Sequence, residues 1–168
     1  WTWGDNSKGQ LGRTDYKTIG QVHYPNDDPT QPGFDPTLYV AAGLDNTFLV
    51  TESGMVYAFG ANSAGQLGVE ITSPYTPTIP TATPMKDSSG AVITDAVMVS
   101  TWKDNTFVLR RDPVTGESKV SVSGLNYYAT PQIEVTSVKN IVEISGPYMR
   151  TTSGEVWKID VPNTSVSQ

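Results

Sequence analysis

Few residues in this chain have the types and spacing to do chemistry. His23 is its one histidine; a general base is the role open to it, and the bland reading is a loop histidine in a segment of turn formers. Asp27 and Asp28 are adjacent, with Asp35 following, in the proline-rich stretch Tyr24-Pro25-Asn26-Asp27-Asp28-Pro29. Carboxylates so grouped suit Ca²⁺, but the alternating Asp-x-Asp-x-Asp-Gly spacing of a calcium loop does not follow, and the acidic loop reads as solvated. Ser63 lies among glycines in Gly60-Ala61-Asn62-Ser63-Ala64-Gly65, which departs from the Gly-x-Ser-x-Gly elbow of a nucleophilic serine. Arg110-Arg111-Asp112 reads as the charged end of a hairpin. Cysteine is absent, which removes disulfides, thiolate metal sites and cysteine nucleophiles together. With a single histidine besides, no zinc site is expected. The reading is of a chain that catalyses nothing and holds no cofactor or metal.

The strongest signal is a repeat. Trp3-Gly4-Asp5-Asn6-Ser7-Lys8-Gly9-Gln10-Leu11-Gly12 returns as Phe59-Gly60-Ala61-Asn62-Ser63-Ala64-Gly65-Gln66-Leu67-Gly68. Similarity also continues upstream, where Asp45-Asn46-Thr47-Phe48-Leu49 matches Asp104-Asn105-Thr106-Phe107-Val108. A third match pairs Ser53-Gly54-Met55-Val56-Tyr57 with Ser153-Gly154-Glu155-Val156-Trp157. Repeats at such intervals mark propellers or solenoids.

Each copy reads as three short β-branched runs: 38–42, 47–51 and 55–59; then 96–100, 106–110 and 119–123; then 140–144, 148–152 and 155–159. Glycine turns join the second and third run of each copy. Nothing shows sustained helical periodicity, and 15 Gly, 12 Pro and 10% aromatics among 168 residues agree with an all-β chain. The proline-rich connections after each motif, 24–33 and 73–81, suit surface loops and edge strands. On 55–59, Val56 and Ala58 point one way and Tyr57 and Phe59 the other, so a buried small face backs a buried bulky one. Trp1 with Trp3, and Trp157 with Ile159, repeat the bulky face.

These residues resemble the repeats of the regulator of chromosome condensation family. The resemblance implies an aromatic-Gly-x-Asn-x-x-Gly-Gln-Leu-Gly motif closing each blade of a seven-bladed β-propeller. It is nearly complete over 38–68, and the copy at 96–126 loses the motif after Ser123-Gly124. The copy at 140–160 has Ile159-Asp160 in place of the aromatic-Gly pair. The expected architecture is a single partial propeller over 1–168: a partial repeat at 1–12, then about three four-stranded blades. Gly4, Asn6, Gly9, Gln10 and Gly12, with Gly60, Asn62, Gly65, Gln66 and Gly68, are read as structural residues of that motif. A glycine-rich phosphate cradle would need a following helix, and none is expected.

A ring of seven does not close on three blades. The missing blades are expected from the parent polypeptide, which the start in mid-strand at Trp1 suggests, or from other copies. The tips before the second strand of each copy would gather at one end of the ring. Asp45, Asn46, Trp102, Lys103, Asp104, Asn105, Pro147 and Tyr148 are the candidate partner-binding residues there, with Trp102 and Tyr148 as anchors. The alternative at these tips is turn formers alone. A histidine is usual in the family where Asn46 and Asn105 stand.

A net charge of −6 with scattered Lys and Arg argues against nucleic acid. No apolar run approaches the length of a membrane span, and no signal peptide is evident. The expected function is a non-catalytic protein-interaction scaffold. The alternatives that the resemblance implies are a guanine-nucleotide exchange factor for a small GTPase and a propeller-type enzyme inhibitor. The cysteine-free texture rich in Asn, Thr, Ser and Pro, with its degenerate blades, is expected of a phage or bacterial structural version. That would be a virion appendage or a cell-surface adhesin, outside the cell or on the virion rather than in a nucleus.

Overall fold

A computed structural model of the chain describes residues 1–15, 18–69, 77–124, 133–160 and 165–168. The connection expected at 73–76 and the motif remnant at 125–128 lie outside those residues. All regular structure among the described residues is β. Strands β1 (Thr2–Trp3) and β2 (Ile19–Gly20) form a two-stranded sheet. Three four-stranded antiparallel meanders follow. The first blade is β3 (Thr37–Ala42), β4 (Asn46–Thr51), β5 (Val56–Ala61) and β6 (Thr78–Pro84). β7 (Ala96–Trp102), β8 (Asn105–Arg111), β9 (Ser118–Ser123) and β10 (Ile133–Val135) make the second. The third is β11 (Ile141–Ser145), β12 (Tyr148–Thr151), β13 (Val156–Asp160) and β14 (Ser165–Ser167). β6 contains Pro80 and pairs on one side only, the edge position that proline tolerates.

Strands buried on both faces explain why the sequence shows apolar runs rather than strict alternation. Val56 and Ala58 of β5 enter a core with Phe48, Val50, Val99 and Val108, which joins the first blade to the second. Tyr57 and Phe59, on the opposite face, pack with Val22 and Leu49 toward the amino-terminal sheet. A further core of Phe107, Leu109, Val120, Val122, Ile144 and Ile159 joins the second blade to the third. Truncating a buried phenylalanine such as Phe107 to alanine costs about 3–5 kcal/mol, so each inter-blade core holds a large share of the stability. The second blade departs from the bulky-face pattern: Ser121 and Ser123 stand at the register of Tyr57 and Phe59. A bulge recurs early in the first strand of every blade, between Thr37 and Tyr39, Ala96 and Met98, and Ile141 and Glu143. Such bulges strengthen local twist, as a radial arrangement requires.

Arg110 stands at the charged end of the β8–β9 hairpin, and it is buried there. Its side chain is 7% exposed and meets three carboxylates: Nε donates to Asp95 at 2.5 Å, Nη1 to Glu134 at 2.9 Å, and Nη2 reaches Asp87 at 3.5 Å. Asp87 comes from the segment after β6, Asp95 from the segment before β7 and Glu134 from β10, so one guanidinium ties the periphery of the first blade to that of the second. Burial is the largest single influence on the Asp87 carboxyl and pushes its pKa up. Hydrogen bonds from Ser89 and from the Ala91 amide, with the Arg110 charge, together outweigh it and hold the group below its ordinary 3.8.

Replacing Arg110 by methionine is expected to cost about 3–5 kcal/mol in urea unfolding at neutral pH, because three carboxylates lose their shared cation. A group whose folded pKa is depressed stabilises above its unfolded value, and that stability is lost as pH falls through the folded value. The stability difference between wild type and R110M should therefore shrink as pH drops below about 4. A difference that stays constant down to about pH 2 would contradict this assignment.

Candidate functional site

The two intact motif copies fold into the same kind of loop and share one set of internal hydrogen bonds. Asn6 Oδ1 accepts from Leu11 N at 3.0 Å and Gln10 Oε1 from Lys8 N at 2.8 Å. Asn62 Oδ1 accepts from Leu67 N at 3.0 Å and Gln66 Oε1 from Ala64 N at 2.8 Å. Gly9 N and Gly12 N donate to Asn6 O and Gly9 O, and Gly65 N and Gly68 N donate to Asn62 O and Gly65 O. The amides of Lys8, Gly9, Leu11 and Gly12, and of their counterparts Ala64, Gly65, Leu67 and Gly68, are thus spent inside the loop. Side-chain carbonyls at Asn and Gln give the turns acceptors that strand pairing cannot supply. Leu67 is thereby turned into the core shared with the second blade.

The loop is also latched to the blade that follows it. Thr47 Oγ1 donates to Gln10 O at 3.0 Å, and Ser123 Oγ donates to Gln66 O at 3.2 Å. Within a blade, the motif's first glycine receives the tip of the first hairpin. Gly60 has φ +111° and Gly124 φ +109°, and a Cβ at either would collide with the carbonyl oxygen of Asp45 or Asp104. Ala61 N donates to that Asp45 oxygen at 2.8 Å. Around Gly4, nothing lies within 4 Å of the corresponding position. In the third blade the first hairpin turns through Gly146-Pro147 alone, and Pro147 O accepts from Ile159 N at 2.8 Å. The shorter tip does not reach position 160, which explains an aspartate there.

In an antiparallel meander the loops after the first and third strands emerge at the same end. Motif loops and tips therefore share one face. A cleft of about 270 Å³ lies between Ser7 and Lys8, Ser63, Asp45, Asn46, Lys103 and Asp104. Its charges are mixed, two lysines against two aspartates. At its border, hydrogen bonds led by the Ser7 hydroxyl hold the exposed Asp5 carboxyl below its ordinary 3.8.

The tips are tied to one another. Thr101 Oγ1 donates to Ala42 O at 3.1 Å, and Gly146 N donates to Ser100 Oγ at 2.7 Å, each bond crossing between blades. Trp102 is 41% exposed, with Lys103 Nζ at 4.5 Å from its ring centroid, and Leu44 is 87% exposed on the neighbouring tip. Lys103 takes φ +54°. Asn46 is buried, its carbonyl accepting from Gly43 N at 2.9 Å, so it faces inward rather than toward a partner. Pro147 lies in the third tip. Tyr148 opens β12 at the register of Phe48 and Phe107, on the outward face of the third blade. The sequence reading missed Ser7, Lys8 and Ser63 as neighbours of the tips; strand direction was the signal that joins them.

The acidic loop is internally paired. His23 Nδ1 meets Asp27 at 2.8 Å, Asp28 accepts from Thr30 N at 2.9 Å and Thr30 Oγ1 at 2.7 Å, and Asp35 accepts from Ser53 N and Oγ at 2.9 and 2.6 Å. Among the described residues, no three His, Cys, Asp or Glu side chains gather to hold a metal ion. Among the same residues, no helix is long and apolar enough to cross a membrane.

Comparison with known proteins bears on both fold and family. The sequence model of the regulator of chromosome condensation (RCC1) repeat matches residues 1–50, and a second model of that repeat matches 39–66. The RCC2 homolog of Xenopus laevis is 42% identical over 69 residues, 41% of this chain and 13% of that protein. Human WBSCR16 superposes with a TM-score of 0.65 at 20% identity, over 92% of this chain and 40% of that one. Prp20p of Saccharomyces cerevisiae, described with its binding to Gsp1p and histones, gives 0.61 at 17% identity, over 96% of this chain and 41% of that one. The chain thus spans about an eighth of its curated relative and two fifths of the solved propellers, and its fold is theirs. The extracellular or virion location expected from composition is overturned: the relatives are animal and yeast proteins, with RCC1-type names or a histone-binding neighbour among them. Nothing among the relatives supports a phage or structural-protein version.

Alanine at Gly60 should lower stability by about 1–3 kcal/mol through backbone strain plus collision with the Asp45 carbonyl. Alanine at Gly4 should cost measurably less, because only strain applies. Equal losses in thermal melts of the two variants would count against the tip contact.

Proposed function

With regulator of chromosome condensation repeats in its sequence and a propeller fold, we propose that this chain is a non-catalytic protein-recognition module, acting as one partial ring over 1–168. The observation that carries this reading is the shared face on which tips of successive blades are cross-linked beside the motif loops, with Leu44 and Trp102 exposed upon it. Exposed large side chains on a hydrogen-bonded, rigid frame lose little entropy on binding. The candidate contacts are Asp45, Trp102, Lys103 and Asp104, with Asn46 and Asn105 shaping the loops that present them; Pro147 and Tyr148 flank that face on the third blade. A net charge of −6 suits a basic protein partner and disfavours nucleic acid.

A second reading, guanine-nucleotide exchange on a small GTPase, draws support from the likeness to Prp20p, a protein described as binding Gsp1p. Both readings use the same face and part on the assay. Purified histones and Gsp1p, the ligands named for Prp20p, serve as probes. The scaffold reading expects binding of at least one probe, weakened roughly 10-fold or more in the double variant Leu44→Ala, Trp102→Ala with an unchanged melting curve. Unchanged binding by that variant would remove this face from the account. Accelerated nucleotide release from the GTPase probe would replace the scaffold reading by the exchange reading.

A further inference from the structure

At the tip of the second blade a lysine stands where a glycine fits best. Trp102 pairs with Asn105, so Lys103 and Asp104 alone make the turn. In the third blade Ser145 and Tyr148 enclose Gly146 and Pro147 in the same way. The first turning residue has φ +54° at Lys103 and +53° at Gly146. That left-handed conformation suits glycine and strains a residue with a Cβ, so something other than the turn accounts for the lysine. The first blade's tip, between Ala42 and Thr47, is wider and contains no residue of positive φ.

The lysine side chain lies on an aromatic ring. Its Nζ is 4.5 Å from the centroid of Trp102, which stays 41% exposed although the second blade has a neighbour on each side within this chain. The indole backs onto the third blade's tip. A Cβ on Gly146 would stand 3.2 Å from Trp102 Cβ and 3.6 Å from Cγ, and the Gly146 amide is itself held by Ser100 Oγ. The ring is thus fixed against one neighbour while it carries a cation. Asp104 adjoins it in the same turn, and Asp45 borders the cleft that Lys103 and Asp104 also line. Among the described residues neither of these carboxylates forms an ion pair.

An indole ring beside unpaired carboxylates attracts cations, and a guanidinium best, since it is planar, weakly hydrated and stacks on the ring. A net charge of −6 adds attraction for a basic partner at longer range. We propose that the Trp102 ring is the docking site for an arginine side chain of the partner protein, and that Lys103 is a built-in competitor which the arginine displaces. The inference rests on the recognition reading above, and it turns Lys103 from a contact into the residue that a partner must move.

The test follows the indole N–H resonance of Trp102 in the full-length polypeptide with isotope-labelled tryptophan, identified by its loss in Trp102→Phe. The probe is a blocked peptide of alternating glycine and arginine, with its lysine counterpart as the control. The arginine peptide should move that resonance saturably and bind about 3-fold or more tighter than the lysine peptide. Lys103→Gly, which removes the competitor and relaxes the turn, should tighten arginine binding by about 3-fold or more. Lys103→Gln keeps the strained turn, removes only the charge and should act in the same direction. A Trp102 resonance that stays still, or an affinity that fails to rise in both variants, would overturn the proposal. If histones or Gsp1p still bind through Leu44 and Trp102 in that case, the recognition reading stands and only the arginine docking falls. Failure of both proteins to bind while the resonance moves would speak against the recognition reading and not against this site.

Discussion

The carbonyl oxygen of Asp45 lies where the side chain of Gly60 would have to be, and the amide of Ala61 donates to it. This one close approach joins the tip of a blade's first hairpin to the end of its third strand. From there the chain enters the motif loop, whose Asn and Gln side chains close it internally and whose Leu67 enters the next core. In the first blade the tip, the motif loop and the inter-blade core thus meet at one backbone contact, and Gly124 with Asp104 reproduces that contact in the second blade. A left-handed glycine is the only residue that meets the requirement without strain.

That linkage also bears on the proposed recognition role. Loops on a propeller would wander if each were held only by its own strands. Here Thr47 and Ser123 latch each motif loop to the following blade, and Thr101 and Gly146 tie the tips across blades. The exposed side chains of Leu44 and Trp102 then sit on a surface fixed from several directions. Arg110 adds a comparable tie at the periphery, where one guanidinium gathers carboxylates from both blades.

Much of the architecture was legible in the sequence because each repeat carries short runs of strand length joined by glycine turns, and the full glycine motif occurs twice. Strand positions such as 47–51 and 106–110 differ from the structure by a residue or two at their ends. The recurring bulges at Thr37, Ala96 and Ile141 left no signal, since a bulge is a matter of register between strands. The partners of Arg110 could not be read from the sequence because Asp87, Asp95 and Glu134 are 15 to 24 residues away. Tyr148 resembled a tip residue by its distance from Gly146, but a shortened hairpin sets it on the strand. Composition misled on location, since the relatives are animal and yeast proteins.

The most direct test of the tip-to-motif contact is hydrogen exchange at the Ala61 amide. The account places that amide in a bond to the Asp45 carbonyl at 2.8 Å, shielded by the tip, and predicts exchange as slow as at core amides of β4 and β5. Exchange at the rate of an open loop would contradict it, and would leave the motif glycines without the role on which the arrangement of the recognition face depends.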